Sequence, residues 1–176
     1  PMAEGKEIWC QLFSEPSAGS DVAGLRSKAV QDGENWIVNG QKVWTSGAHF
    51  SDFGILVVRH DPSLEKHKGL TFFFVDMKSP GIEVKPIKQL TGGSSFNEVY
   101  FNDVVIPDSQ RLGEIGDGWK VAITTLMNER LAVGDADGVD ANEAFELAKK
   151  HDKDGEQLID NNAVRESIAD WYCEAS

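Results

Sequence analysis

The sequence predicts a mainly β domain, a β-barrel or orthogonal sandwich, followed by α-helices of a truncated helical bundle. Short apolar segments separated by turn residues fill residues 7–107, which is typical of such β folds. After Gly113 the apolar residues recur at helical spacing instead. Acidic residues also outnumber basic residues more strongly after Pro107. We therefore expect a β-domain over residues 1–113 and the first helices of a second domain over residues 114–176.

The β-domain is predicted to open with two strands. Ile8, Cys10 and Leu12 alternate with residues of the opposite face, which is the period-2 pattern of a strand. A weaker strand follows over residues 25–30, and the turn residues Asp-Gly-Glu-Asn at positions 32–35 end it.

The next segment carries the strongest hairpin signal in the chain. Asn39-Gly40 lies between the apolar residues 36–38 and residues 41–45, and Asn-Gly is typical of a type I′ turn. We therefore predict a hairpin that turns at Asn39-Gly40. Apolar runs predict four further strands, of which the first two are continuous enough to be buried on both faces: residues 53–59, 70–75, 82–87 and 96–106.

Three helices are predicted after the β-domain. Asp117 is suited to cap the first, which runs from residue 118 to about residue 133. The other two cover residues 141–150 and 163–173, with a polar linker over residues 151–162 between them. Because the third helix reaches the last residues given, we expect the chain to be a piece of a longer protein.

The composition argues against several classes of function. The net charge is −12 at pH 7, whereas nucleic acids and anionic membranes are bound by basic surfaces. No apolar run approaches the roughly 20 residues of a membrane span. Neither the two cysteines, Cys10 and Cys173, nor the four scattered histidines have metal-ligand spacing, so we predict no metal site and a reducing, cytoplasmic compartment. The absence of a Gly-x-Ser-x-Gly motif argues against a hydrolase.

The first predicted helix carries two charged residues of interest. Arg130 falls within an apolar stripe and Glu129 lies at its edge. An unpaired buried charge is very costly, so Arg130 is either half of an internal ion pair at a domain interface or a ligand contact. Burial at the apolar edge would raise the pKa of Glu129, as a base acting on a carbon acid requires. The stripe consists of Trp119, Ala122, Ile123, Leu126 and Val133.

Two further motifs point to a binding site. Residues 13–21 (FSEPSAGSD) leave the first strand through a sharp turn that presents hydroxyls and carboxylates. Residues 44–47 (WTSG) end a later strand with an aromatic ring and two hydroxyls. Each motif alone could be a structural turn or a core tryptophan. Taken together and in this order, they resemble the flavin-binding face of the acyl-CoA dehydrogenase family, in its middle β-domain.

The resemblance extends over residues 4–134 and implies a function. Residues 127–130 (MNER) resemble the family's helix with an invariant arginine, and residues 96–107 resemble its last β-domain strand. The family implies a FAD-dependent enzyme that oxidises the Cα–Cβ bond of an acyl-CoA thioester to the 2-enoyl-CoA. A base removes the α-proton, and the β-hydrogen leaves as hydride to the flavin.

The resemblance also implies a role for individual residues. In some subfamilies a glutamate at the position of Glu129 is the catalytic base, whereas in most others the base lies farther along the C-terminal helical domain. The arginine at the position of Arg130 lies near the thioester end of the substrate. At Phe13 the family usually has a smaller residue, which affects the local fit of the ring. Ser20 contacts the CoA part of the substrate. The cofactor-binding residues implied are Gln11, Leu12, Phe13, Ser14, Gly19, Ser20, Trp44, Thr45 and Ser46, with Ser46 close to the flavin atom that accepts hydride.

The same resemblance implies FAD as cofactor, an acyl-CoA as substrate and an electron-transferring flavoprotein as partner. It implies a homo-oligomer, dimer or tetramer, in the mitochondrial matrix if the source is eukaryotic. The chain alone is expected to be inactive, because in this family the FAD site is completed by the C-terminal domain and a neighbouring subunit. Two alternatives stay open: an acyl-CoA oxidase or flavin monooxygenase on the same scaffold, or a non-catalytic β-rich binding module.

Overall fold

Seven strands form one mixed sheet in the first of two compact units, Pro1–Asn128 and Glu129–Ser176, of this computed structural model. The structure describes residues 1–134, 141–153 and 155–175. The strand order is β1-β4-β2-β3-β7-β6, with β5 paired to β4, and β1 runs parallel to β4. The strands are β1 Trp9–Leu12, β2 Lys28–Asp32, β3 Asn35–Ser46, β4 Phe53–Arg59, β5 Leu70–Asp76, β6 Ile82–Ile87 and β7 Phe96–Pro107.

Helices follow the sheet. Helix α1 spans Gly118–Gly134, and its first turns belong to the first unit. The second unit contains α2 (Ala141–Lys150), a small hairpin of β8 (Asp152–Lys153) and β9 (Glu156–Gln157), and α3 (Asn162–Ala175). Four short 3₁₀ helices lie at Met2–Glu4, Val22–Gly24, Asp108–Gln110 and Leu158–Asp160.

The predicted fold class is confirmed: the chain is mainly β, and its sheet curls into a half-barrel followed by three helices. The predicted strands over residues 53–59 and 82–87 have the observed bounds. Strands β4 and β5 are buried on both faces, as their continuous apolar sequences predict. The segment over residues 151–162, predicted as a polar linker, contains the β8–β9 hairpin.

Two apolar cores lie on the two faces of the sheet. The inner core fills the half-barrel and includes Trp36, Phe73 and Phe101. The outer core is covered by the first turns of α1, which bury Ala122 against a cluster that includes Phe13 and Phe72. The sheet thus has an apolar core on each of its two faces.

The hairpin predicted at Asn39-Gly40 is wrong, because β3 runs unbroken through this pair. The turn between β2 and β3 is at Gly33, where Asp32 pairs with Asn35. Gly40 instead sits at a register shift in the pairing of β3 with β7 and has φ 152°. A Cβ at Gly40 would lie 2.2 Å from Ser27 Oγ, so the glycine permits close approach of the backbone, not a turn.

The weaker strand predicted over residues 25–30 also lies later than expected. Strand β2 begins at Lys28, and a 3₁₀ turn over Val22–Gly24 precedes it. The apolar Leu25, which suggested a strand, is buried in the outer core. Burial of this residue comes from a loop packing on the sheet, which a period-2 pattern does not distinguish from a strand.

A charged clasp joins the end of β7 to the sheet. The indole Nε1 of Trp36 donates to Asp108 Oδ1 over 2.8 Å. Arg111 donates from Nε to the same oxygen over 2.9 Å and from Nη2 to Oδ2 over 3.0 Å. The hydrogen bonds from Arg111 first, and from Trp36 second, lower the pKa of Asp108 to about 2. This clasp fixes the connection that leads into α1.

Substitution of Gly40 tests the corrected position of the turn. We expect Gly40→Ala to reduce the free energy of unfolding by at least about 2 kcal/mol more than Gly33→Ala, because of overpacking against Ser27. At Gly33 the added Cβ has no neighbour within 4 Å, so only the cost of φ 58° for an L-residue remains, about 1 kcal/mol. Denaturant unfolding measures both. Equal losses would contradict the assignment.

Acid titration tests the clasp. The folded-state pKa of Asp108 lies below its ordinary value near 4, so its contribution is present above pH 4 and is lost as pH falls through about 2. Asp108→Asn should therefore be less stable than wild type at pH 7, and the gap should close between pH 4 and pH 2. The exposed Asp32→Asn serves as the control in thermal unfolding at each pH. A gap for Asp108→Asn that does not change with pH would refute the assignment.

Candidate functional site

The turn after β1 is attached directly to β3. Glu15 and Ala18 exchange two backbone hydrogen bonds of 2.9 and 3.0 Å, which close the turn around Pro16. The carbonyl of Ser14 accepts a hydrogen bond of 2.9 Å from the backbone N–H of Val43 on β3. The two sequence motifs, distant in the chain, are therefore adjacent in the fold.

A buried ion pair lies beneath this turn. Lys42 has a fully buried side chain, and its ammonium Nζ lies 2.8 Å from Glu15 Oε1 and 3.1 Å from the carbonyl of Phe13. The Glu15 carboxylate also accepts hydrogen bonds from the backbone N–H groups of Ser27 (2.9 Å) and Arg26 (2.6 Å). Lys42 Nζ and both carboxylate oxygens of Glu15 each have a charged or backbone partner, as a buried charge requires.

Burial and pairing oppose each other in the titration of this pair. Burial acts to raise the pKa of Glu15, but the charge and hydrogen bond of Lys42, with the two backbone N–H groups, hold that pKa below its usual value. Burial lowers the pKa of Lys42 to about 8, against the opposing effect of the Glu15 carboxylate. Removing one partner of such a pair typically costs about 3–5 kcal/mol, because the other charge stays buried.

Trp44 is displayed by a strained backbone. Its φ is 60°, a left-handed conformation that costs a non-glycine residue roughly 1–2 kcal/mol. The pairing of β3 with β7 shifts register between Lys42 and Thr45, and this bulge turns the indole outward. The ring is 60 % exposed and packs edge-on against Phe96, with 6.1 Å between ring centroids. An exposed ring on a strained backbone is the kind of feature found at ligand sites.

Thr45 and Asn97 leave hydrogen-bonding capacity unused at the same strand end. The amide Nδ2 of Asn97 donates to the Thr45 carbonyl over 2.9 Å, and both side chains are buried. Thr45 Oγ1 and Asn97 Oδ1 have no hydrogen-bond partner among the residues that the structure describes. Such unpaired buried groups are rare in folded proteins and concentrate where function or an additional partner explains them.

The loop that carries Ser20 is anchored after this residue by Arg59 and Lys66. The Arg59 guanidinium donates to the carbonyl of Ala23 over 2.6 Å and to that of Leu25 over 3.1 Å. Lys66 forms an ion pair with Asp21, the residue next to Ser20. The position of Ser20 is therefore set by contacts on both sides of the loop.

The predicted cofactor residues divide into two groups by exposure. Leu12 and Phe13 have buried side chains, so any contact with a ligand would come from their backbone, on the strand that ends the sheet. Thr45 is also buried, which places its hydroxyl inside the sheet. The exposed group is Gly19, Ser20, Trp44 and Ser46, and the half-buried group is Gln11 and Ser14.

The predicted stripe on α1 is only partly buried. Ala122 is buried and Trp119 and Leu126 are half-buried, but Ile123 is 38 % exposed. Glu129 and Arg130 belong to the second unit and are both exposed, so the burial predicted for them is not observed. The helical period was correct, but the covered face is narrower than the apolar stripe. Val133, the last member of the stripe, has no described side chain.

Sequence analysis missed the residues that hold the motifs in place: Lys42, Glu15 as its partner, and Arg59. The available signal was Lys42 itself, a charged residue next to the apolar Val43 within a segment predicted to be a strand. Its partner lies 27 residues away in the sequence, so the pairing required the fold.

Two clefts lie away from these motifs. One of about 410 Å³ is lined by α2 and α3, and another of about 590 Å³ lies beside the β2–β3 turn and Asp108. Within the described ranges, no cluster of His, Cys, Asp or Glu could hold a metal ion, and no helix is long and apolar enough to cross a membrane.

The exposed motif residues fit a planar ligand with an apolar face and polar edges. Trp44 offers an aromatic surface, and Ser14 and Ser46 offer hydroxyl groups near the ends of β1 and β3. The terminal strand β1 adds a backbone edge. Few polar groups beside an apolar surface is the composition expected of a cofactor site, and a flavin ring has matching chemistry.

Comparison with known sequences matches two parts of the chain to domains of one family of enzymes. Residues 10–104 match the family described as "Acyl-CoA dehydrogenase, middle domain", and residues 116–176 match "Acyl-CoA dehydrogenase, C-terminal domain". The chain is 54 % identical over 129 residues to acyl-CoA dehydrogenase FadE34 of Mycobacterium tuberculosis, which covers 73 % of this chain and 18 % of that protein. It is 32 % identical to cyclohexane-1-carbonyl-CoA dehydrogenase of Geobacter metallireducens, over 96 % of this chain and 46 % of that protein.

Solved structures give the same result. A probable acyl CoA dehydrogenase from Mycobacterium abscessus superposes with a TM-score of 0.84 at 29 % identity, over 99 % of this chain and 48 % of that one. Butyryl-CoA dehydrogenase from Megasphaera elsdenii superposes with a TM-score of 0.83 at 25 % identity, over 99 % of this chain and 47 % of that one. The chain therefore spans less than half the length of each of these relatives.

The strain at Trp44 predicts an unusual preference for glycine. We expect Trp44→Gly to be more stable than Trp44→Ala by about 1 kcal/mol, because only glycine adopts φ 60° without a steric cost. At the exposed Val30 of β2 the order should reverse, with glycine less stable than alanine by roughly 0.5–1 kcal/mol. Denaturant unfolding of the four variants measures both differences. A more stable alanine at position 44 would disprove the strain.

Proposed function

This chain belongs to the acyl-CoA dehydrogenase family, and we propose that it carries the flavin-binding face of a FAD-dependent enzyme. The enzyme oxidises the Cα–Cβ bond of an acyl-CoA thioester to the 2-enoyl-CoA. The first C-terminal helices follow this face, with the domain boundary at residues 113–114. The separate family matches of residues 10–104 and 116–176 support that division.

One observation carries the proposal: Trp44 is exposed on a strained bulge beside the exposed Ser46, and β3 is hydrogen-bonded to the turn at Ser14. A fold that needed Trp44 only for packing would bury it and avoid the left-handed backbone. The arrangement instead offers an aromatic surface and hydroxyl groups on two joined segments, which suits binding of an isoalloxazine ring.

The chain's own residues bind and orient the reactants. Bound FAD would supply the acceptor for the hydride that leaves the β-carbon. Ser14 and Ser46 donate hydrogen bonds to the ring edges, and Trp44 covers part of its face. Gln11, Leu12 and Phe13 contribute the backbone edge of β1 and its end. Thr45 holds this segment from within the sheet, through the carbonyl that Asn97 contacts.

Substrate is bound by a second set of residues. Ser20 contacts the CoA part on a loop that Arg59 and Lys66 anchor. Gly19, the cofactor-binding residue beside it, has open space where a Cβ would stand, with no neighbouring atom within 4 Å, and leaves room for the cofactor to approach the backbone. Arg130 attracts the polarised thioester end, and Glu129 takes the α-proton on a carboxylate oxygen. Holding a bound substrate in a reactive orientation supplies much of the rate of such a reaction.

Partners follow from the chemistry of the reaction. A reduced flavin must pass on two electrons, and we propose an electron-transferring flavoprotein as their acceptor. The exposed Glu129 and Arg130 need covering to exclude water, which supports a homo-oligomer, a dimer or tetramer, with further helices. Cys10 and Cys173 are free thiols, which supports a reducing cytoplasmic or matrix compartment.

The visible absorption spectrum of the whole protein that carries this chain tests the proposal. We expect a flavin spectrum that bleaches anaerobically when one class of acyl-CoA ester is added. Hydrogen peroxide formation in air at the rate of turnover would identify an oxidase instead. A colourless protein that cannot be reconstituted with FAD would leave a non-catalytic binding module.

Glu129→Gln tests the base in the same protein. We expect an unchanged flavin spectrum and a bleaching rate lowered by about 10²–10⁴, because the glutamine cannot accept the α-proton. Glu143→Gln, an exposed substitution on α2, is the matched control and should bleach at the wild-type rate. Wild-type bleaching by Glu129→Gln would place the base outside residues 129–130.

A further inference from the structure

We propose that the Glu15–Lys42 ion pair is a positioning device, which holds the two segments of the flavin-binding face at a fixed separation. The pair does not touch the ligand. It acts through Ser14, Trp44 and the loop of Ser20. The inference rests on the proposed function of this face and adds to it Lys42, which lies in neither sequence motif, and a positioning role for Glu15.

Ser14 lies between two residues that Lys42 binds. Lys42 Nζ bonds the Phe13 carbonyl over 3.1 Å and the Glu15 carboxylate over 2.8 Å, so it grips the residues on both sides of Ser14. Ser14 itself is bonded by Val43, the next residue of β3, over 2.9 Å. Three consecutive residues of the turn are therefore tied to two consecutive residues of the strand.

The Glu15 carboxylate also binds the far end of the loop that follows the turn. Glu15 Oε2 accepts from the backbone N–H of Arg26 over 2.6 Å, and Oε1 accepts from that of Ser27 over 2.9 Å. One carboxylate thus joins both ends of the segment from Glu15 to Arg26, which contains Gly19 and Ser20. The same group that fixes the flavin side of the turn also closes the loop assigned to the CoA part.

Lys42 lies on β3 directly before the bulge that carries Trp44. The pairing of β3 with β7 shifts register immediately after Lys42, and Trp44 is left with φ 60° and a 60 % exposed ring. Lys42 is the last residue of the strand paired in register before this bulge. The ammonium therefore anchors the strand at the point where its backbone leaves regular geometry.

A buried ion pair differs from an apolar pair in what it contributes to the fold. Apolar residues of similar volume would fill a buried space at least as stably as an ion pair, because both charges lose their hydration. What an ion pair adds is direction, through charge-assisted hydrogen bonds of defined geometry. Here the two bonds from Lys42, to the Phe13 carbonyl and to the Glu15 carboxylate, hold the turn. The two bonds that Glu15 accepts from the backbone of Arg26 and Ser27 hold the end of the loop that follows it.

The test uses the whole protein with a charge-free pair, Glu15→Gln with Lys42→Met. Each single substitution leaves a buried charge unpaired and should melt far below wild type. The double variant should melt well above either single variant, because no unpaired charge remains, and below wild type, because glutamine has one acceptor oxygen for the two backbone N–H groups that the carboxylate binds. Even so, we expect its Kd for FAD, from fluorescence titration of the apoprotein, to rise at least 10-fold. The fluorescence anisotropy of bound FAD should fall, which a purely structural pair would not change.

A second double variant controls for general destabilisation. Asp108→Asn with Arg111→Met removes a charged clasp at the other end of β3, beside Trp36. It should lower the melting temperature and leave the Kd for FAD within twofold of wild type. A loss of FAD affinity that follows melting temperature across both double variants would overturn the positioning role.

Hydrogen exchange of the wild-type apoprotein decides the matter if the charge-free variant does not fold. The backbone N–H groups of Arg26, Ser27 and Val43 should be strongly protected before FAD is added, since the pair preorganises the face. Fast exchange that slows only with FAD would overturn the inference. Wild-type protein that takes up no FAD would overturn the proposed function and this inference with it. Wild-type uptake with an unaffected double variant would overturn this inference alone.

Discussion

An ammonium group without access to water requires a carboxylate beside it, and this constraint organises the turn after β1. Lys42 and Glu15 are both buried, and together they bond backbone groups of the turn and of the start of β2. A turn rich in small residues would otherwise have few interactions to hold it. The half-barrel supplies the rigid frame. The ion pair adds a charged attachment to the one that Phe13 and Ala18 make by packing in the outer core.

The same region combines stabilising and strained elements. Trp44 has a left-handed backbone, and Thr45 and Asn97 have unpaired polar atoms among the described residues. On β3 these strained residues lie within three residues of Lys42, whose ammonium group is paired with the Glu15 carboxylate and the Phe13 carbonyl. The local arrangement is typical of a ligand site, where the surrounding structure holds a conformation that the segment alone would not adopt.

Sequence predicted most strands because local signals bracket them, but it failed where a distant contact decides. β4 and β6 were placed correctly, since turn residues flank each apolar run. Asn39-Gly40 failed because Gly40 answers to Ser27, a residue of a different segment. In the site, Trp44 and Ser14 were recognisable as motif residues. Lys42 was not, because only the fold shows that its position faces inward toward Glu15.

The strand order also determines when this chain can fold during its synthesis. β3 has most of its partners on β7, with Asn35 opposite Pro107, and β1 pairs with β4 through Trp9 and Phe53. Contacts between such distant segments form slowly. At roughly 5–20 residues per second, several seconds separate the emergence of β3 from that of β7. A nascent chain therefore displays the unpaired edge of β3 throughout that interval.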